Sequence, residues 1–392
     1  MELSPLFDSP PCGVTQSDTP TCCPDCRDVP ESDINSTRSS WLCPCDSGCD
    51  HHQRLCKQRH SARTVIRLAS LQYELAMVFR SETMPGVVED YMNVHPSAGF
   101  FKDKLPARIL NWRSVERPAA EDPPIPAHLP EQVRLQAGSV ENCINAISTT
   151  SPALAYWTEG MALKIQEAHV IPNPVKHIVL QHVDEDEFQR PADLHTIIVI
   201  SPDNDNKEDT NSTWGQGCTL GEIWGDEGRV FDATHPQYDF DINCQKTSDY
   251  VWYKVMPEQK GHFVTPFGRC LRMHEEDRDK SPNVITRANA LSRELGIRAL
   301  NKAVYCETER LGGRQNLFET CSHEVFLQNQ RQLVDAVREE TRKARATVDE
   351  VAFRYGSVDQ IEAALRLLLE KHESEEHQIL MAAFEKRQRE AK

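Results

Sequence analysis

No run of about 18 consecutive apolar residues occurs in this chain of 392, so a membrane-spanning helix is not expected. The polar opening MELSPLFDSPPCG lacks the charged and then apolar segments of a secretory signal, and the expectation is a protein that stays in the cytoplasm or nucleus. Basic residues are in short supply: 44 Lys and Arg face 60 Asp and Glu, a formal charge of −16, which argues against binding a phosphate backbone. Neither nucleic acid nor membrane is an expected partner. No internal repeat of fixed period is present. Aromatics make up only 7% and apolar residues 39%, enough for real but modest cores.

Cysteine is not scarce but is unevenly spread, with 8 of the 14 lying in the first 56 residues. In a reducing compartment such thiols point to metal binding or catalysis more than to disulfides.

The expected fold class is α+β, in three parts after a disordered stretch at 1–19. These are a small zinc-binding module at 20–60, an α+β domain at 62–270 with a central, mostly antiparallel sheet, and a helical region at 281–392. Residues before about 40 are rich in Pro, Ser, Thr and Asp without apolar period, so something other than a core must order them. From Ala62, Val65, Leu68, Leu71, Leu75 and Phe79 recur at three- and four-residue steps, which predicts an amphipathic helix ended by Pro85. Six prolines between 106 and 130 predict a stiff extended connection or surface loop.

SVENCINAIS reads as a short helix with Ser139 as its cap; LHTIIVI, GRVFDAT and DYVWYKV read as strands. The acidic loop SPDNDNKEDTNSTWGQG lacks the Gly and bidentate Glu of a calcium loop. Ser281-Pro282 predicts a helix start, Gly296 and Gly312-Gly313 predict stops, and Ser357 with Gln360 has capping-box spacing ahead of the apolar stripe Ile361, Leu365 and Leu368.

Close pairs of Cys and His supply two metal ligands from one turn. Three such pairs stand near the amino end: Cys23 and Cys26, Cys45 and Cys49, and Cys56 and His60. The first two complete one tetrahedral thiolate site, with Cys22 or Cys43 as substitutes in another register. The last two pairs, followed by a helix, resemble the second half of a fungal MYND-type zinc finger, which ends in Cys-x3-Cys and then His-x3-Cys. Here the final pair is Cys56 and His60, with the ligand types exchanged. Members of that family bind two zinc ions in an interleaved order. The resemblance therefore implies one intact Zn2+ site from Cys23, Cys26, Cys45 and Cys49. The family's second pair has no counterpart here, so Cys56 and His60 would need Cys43 or a histidine of DHH to complete a second site. Closed four-ligand sites are structural. The family's fingers present a groove to short proline-containing peptides, so the implied partner is protein and the implied role is that of an interaction or scaffold protein.

An alternative function comes from three later stretches. Proteins with a fungal-type MYND finger often carry, after a helix like RLASLQYELAMVFRSET, a cysteine on a helix, a histidine opening a strand, and a strand ending in D-x-T-x-x-Q-Y. This chain has Cys143 in VENCINA, His195 in LHTIIVI and Asp232 in FDATHPQYDF. The order Cys, His, Asp is similar to that of papain-like and transglutaminase-like enzymes. It implies a cysteine-dependent hydrolase or acyl transferase with Cys143 as nucleophile, His195 as base and Asp232 as the group orienting the imidazole. Gln237 and Tyr238 are expected to lock the following loop, and His235 is a competing base.

Overall fold

A computed structural model describes residues 50–84, 86–98, 105–114, 124–140, 142–161, 163–183, 188–189, 194–202, 228–240, 243–256 and 263–390. The proposed zinc ligands Cys23, Cys26, Cys45 and Cys49 lie outside them, as do the side chains of Cys56 and His60 and the acidic loop after Pro202. The chain divides into two compact units, Met1–Leu68 with Thr308–Arg331, and Ala69–Glu307 with Gln332–Lys392. Within the first, Arg67 donates to the carbonyls of Leu317, Cys321 and Ser322 and stands 4.3 Å over the Phe326 ring. The second holds both sheets and the site described below.

The fold is α+β, with one mixed and one antiparallel sheet. Helix α1 spans Asp50–Thr83, so it begins well before the apolar stripe at Ala62 that predicted it, and it ends ahead of Pro85 as expected. Strands β1 (Gly86–Val94) and β2 (Ala107–Ser114) form an antiparallel pair with a bulge between Val88 and Asp90. Strand β4 (His177–His182) runs parallel to β2, and β5 (Phe188–Gln189) completes a sheet of order β1-β2-β4-β5. Met84, Val88, Leu110, Val133, Ile178 and Leu180 make its core, to which helix α2 (Glu131–Ser139) contributes Val133.

The second sheet is antiparallel throughout. Its order is β8-β7-β6-β3-β9, from β3 (Leu163–Val170), β6 (His195–Pro202), β7 (Arg229–Phe231), β8 (Cys244–Lys246) and β9 (Phe263–Pro266). All four residues of the run Ile197 to Ile200 on β6 are buried, because both faces of this inner strand are covered; hence an unbroken apolar run in place of alternation.

Helix α3 (Cys143–Thr158) and helix α4 (Thr247–Lys254) pack in the same unit, followed by α5 (Arg269–Lys280), α6 (Val284–Arg310), α7 (His323–Arg354) and α8 (Val358–Glu390). The start of α8 follows its capping pattern: the Gln360 amide donates to Ser357 Oγ at 3.4 Å, and Leu365 and Leu369 pack on Leu291 and Leu295 of α6.

Several local expectations are corrected. DYVWYKV is helical, not extended: Thr247 and Tyr250 are the buried positions of α4, a three-residue step, and Thr-Ser-Asp opens the helix. Ser139 is the last residue of α2 rather than the cap of α3, and its hydroxyl bonds Leu135 O. Part of the proline-rich segment, Ala107–Ser114, is a strand. The cap before α6 is Asn283, whose Oδ1 accepts Ile285 N at 2.9 Å. Helix α6 runs through Gly296, where the missing side chain leaves room for the Phe79 ring of α1: a Cβ there would lie 3.0 Å from Phe79 Cε2, a tight contact. The stop falls at Gly312 and Gly313, both at positive φ.

Candidate active site

Three elements of one unit bring Cys143, His195 and Asp232 together. Cys143 is the first residue of α3 and not, as the sequence suggested, four residues into a helix. His195 is the first residue of β6, held in register opposite Val170 of β3. Asp232 follows β7 directly, and its amide donates to Asn243 O at 2.8 Å.

His195 Nε2 lies 2.9 Å from Asp232 Oδ1, with both side chains almost wholly buried. At this distance the contact is a charge-assisted one between imidazole and carboxylate. The Cys143 thiol is in hydrogen-bonding reach of the same ring. The Gln237 amide stands 3.3 Å from Nδ1, and the Tyr238 ring meets the imidazole edge to face at 4.8 Å. His235 is not the ring at the carboxylate: its Nδ1 lies 3.1 Å from the Asp232 backbone oxygen and its ring rests 5.1 Å from that of Tyr73.

The electrostatics favour a charged pair. Burial opposes a thiolate at Cys143, but the hydrogen bond and charge of His195, with backbone N–H groups of Thr196 and Ile144, outweigh it and bring the thiol below its ordinary pKa. Burial opposes an imidazolium at His195 too, yet the negative charge of Asp232 prevails and raises its pKa to about 10. Asp232 is held below the usual carboxylate range against its own burial, by the His195 charge foremost. By contrast, burial pushes the Cys244 thiol up to about 12, and the Cys270 thiol is also raised by burial.

The loop after β7 is built to hold the carboxylate. Asp232 Oδ1 accepts the Thr234 amide at 3.1 Å, a local turn that Asp forms readily, and Oδ2 accepts the Tyr250 hydroxyl at 2.8 Å. Gln237 Nε2 donates to Thr234 Oγ1 at 2.9 Å. Asp239 adopts a left-handed conformation, φ 59°, and its side chain takes amide protons from Gln132 and Gln136 of α2. A cleft of about 280 Å³ opens beside this loop, lined by Glu131, Gln136, His235, Pro236, Asp239 and Phe240.

Helix α3 is anchored from α6 by Arg293, which donates to Asn145 Oδ1 and O, Ser148 Oγ and Thr149 Oγ1. All three residues are buried, Cys143 the least so. Cys143 keeps 8% of its surface and neighbouring Ile144 is 39% exposed, against 0% for His195 and 1% for Asp232.

Sequence reasoning missed Tyr250 and Arg293. Tyr250 sits in the segment read as a strand, where the Thr-Ser-Asp start was the overlooked signal. Nothing local marks Arg293, whose acceptors lie on another helix. Among the described residues, no group of three His, Cys, Asp or Glu side chains is arranged to hold a metal ion, and no helix is long and apolar enough to cross a membrane. Comparison with known proteins finds no matching family model, curated protein or solved structure.

Proposed function

We propose that this chain is a cysteine-dependent hydrolase or acyl transferase in which Cys143 is nucleophile, His195 base and acid, and Asp232 the orienting carboxylate. The observation that carries the reading is the buried His195–Asp232 contact at 2.9 Å with the Cys143 thiol in reach of the same ring. The order of the three residues and the antiparallel sheet that presents the histidine support a papain-like or transglutaminase-like cast for this unit.

In the reaction the thiolate adds to an acyl carbon. The S–C bond forms as the C–N or C–O bond to the leaving group breaks, and the leaving group takes the proton from His195. Water or a second acceptor then adds to the thioester, gives its proton back to His195 and frees the thiolate.

The test is iodoacetamide labelling followed by peptide mapping at pH 6, where ordinary thiols, with pKa about 8.5, are protonated. Cys143 is expected to be alkylated faster than every other thiol, the exposed Cys306 included. Labelling that simply follows exposure would remove this reading.

A second reading is favoured by a separate observation. Cys56 and His60 lie one turn apart on the backbone of α1, a spacing suited to a shared ion, downstream of the pairs Cys23/Cys26 and Cys45/Cys49. On this reading the amino end is a degenerate MYND-type finger that holds structural zinc and docks a short peptide, in a cytoplasmic or nuclear protein. Purified protein is expected to carry about one zinc per chain by elemental analysis, the content of one closed four-ligand site, and to lose it on Cys23→Ser or Cys45→Ser. Metal-free protein with the same protease resistance near the amino end would contradict this.

A further inference from the structure

We propose that Tyr250, outside the Cys-His-Asp set, is a positioning residue that holds Asp232 ionised and aimed at His195, and so tunes the protonation of Cys143. The inference rests on the thiol-enzyme reading above and adds a fourth member to it.

Helix α4 turns one face to the antiparallel sheet, and Tyr250 on that face is 1% exposed. Its hydroxyl donates to Asp232 Oδ2 at 2.8 Å, while Oδ1 faces His195 Nε2 and accepts the Thr234 amide. Each carboxylate oxygen therefore has its own donor, and the plane of the group is fixed by a local turn at Thr234 and by Tyr250 from α4. A buried carboxylate deprived of a donor binds protons more readily. The phenol itself stays protonated, because burial and then the nearby Asp232 charge hold its pKa well above the ordinary value. The other titratable groups facing this pair are His195 from β6, Cys143 from α3, His235 and Tyr238 from the loop after β7, and Tyr73 from α1.

The sign follows from counting charge. The reactive form, thiolate, imidazolium and carboxylate, carries one negative charge more than the form with a protonated thiol. The carboxylate is ionised in both forms, so Tyr250 acts on the thiol step indirectly: its hydroxyl dipole turns a positive end toward Asp232 and so favours the more negative form of the set. Its removal should raise the coupled proton affinity of the whole set.

The test is the pH profile of Cys143 alkylation in the full chain. Tyr250→Phe keeps the ring, its edge-to-face contact with Phe240 at 6.3 Å and its place in the core beside Ala168 and Val170. The acid midpoint of the profile is expected to rise by about half to one pH unit, a fraction of one hydrogen bond to a charged group because Asp232 stays ionised across it. Incorporation of 3-fluorotyrosine at position 250, nearly the same size but a stronger donor, should move it the opposite way, and this variant carries the test should Tyr250→Phe fold poorly. A midpoint unmoved by either change, with Cys143 still selectively labelled, would overturn the role of Tyr250 and leave the enzyme reading standing. An unaltered protein without any midpoint below the ordinary thiol range would overturn both.

Discussion

His195→Gln is expected to slow alkylation of Cys143 at pH 6 to 7 by about 10- to 100-fold. The sulfur is nearly buried, and burial alone drives a thiol pKa upward, as Cys244 and Cys270 illustrate in the same unit. What reverses this at Cys143 is the hydrogen bond and charge of the imidazole, aided by two backbone N–H donors. Glutamine keeps a polar side chain of similar reach but carries no charge, so the thiol returns toward a protonated state at neutral pH. The loss is smaller than the fall in thiolate fraction, because a thiolate of higher pKa is the better nucleophile once formed. Labelling rates followed by mass spectrometry, with Cys306 as internal reference, give the measurement. An equal rate in the two proteins would mean that the histidine does not activate the sulfur.

Asp232→Ala is expected to destabilise the fold by about 3–5 kcal/mol, because it strands a buried ring that has been held charged by its partner. His195 is fully buried, and the carboxylate supplies the attraction that outweighs desolvation. The substitution also leaves the Tyr250 hydroxyl and the Thr234 amide without their acceptor. Urea denaturation at pH 7 measures the loss, and Asp232→Asn, which keeps the shape and one acceptor, should cost less. The pH dependence has a definite sign. Asp232 is depressed in the folded state, so its contribution is present above the unfolded carboxylate pKa of about 3.9 and fades as pH falls through the lower folded value. The gap between wild type and Asp232→Ala should therefore close in acid. A gap of less than about 1 kcal/mol at pH 7 would mean that the pair is not charged in the folded protein.

The two readings of function draw on different parts of the chain and differ in how far the fold bears on them. The spacing of Cys23, Cys26, Cys45 and Cys49 is a statement about ligand types, and it stands or falls with metal analysis. The Cys143, His195 and Asp232 set was three scattered short motifs in sequence, separated by tens of residues. In the folded chain they share one buried centre.

What could be read along the chain was whatever local patterning controls. The apolar step in α1, the unbroken run of β6, the Ser357 cap and the paired glycines at 312 and 313 each report backbone preferences and burial within a few residues. The same reasoning failed where two periods compete over a short window. DYVWYKV is rich in β-branched and aromatic residues, and the Thr-Ser-Asp start together with the burial of Thr247 and Tyr250 selects the helix. Gly296 reads as a stop until Phe79 is seen against it.

The sequence by itself determined the residue types available for chemistry, their order, and the acidic, cysteine-rich character of the chain. Only the tertiary structure decided that His195 meets Asp232 rather than solvent, that Tyr250 closes the carboxylate and that Arg293 clamps α3. The reason is physical: propensity acts over one turn or one strand. Strand register and helix packing bring distant residues together, and once they are buried, charge and hydrogen bonding set their chemistry.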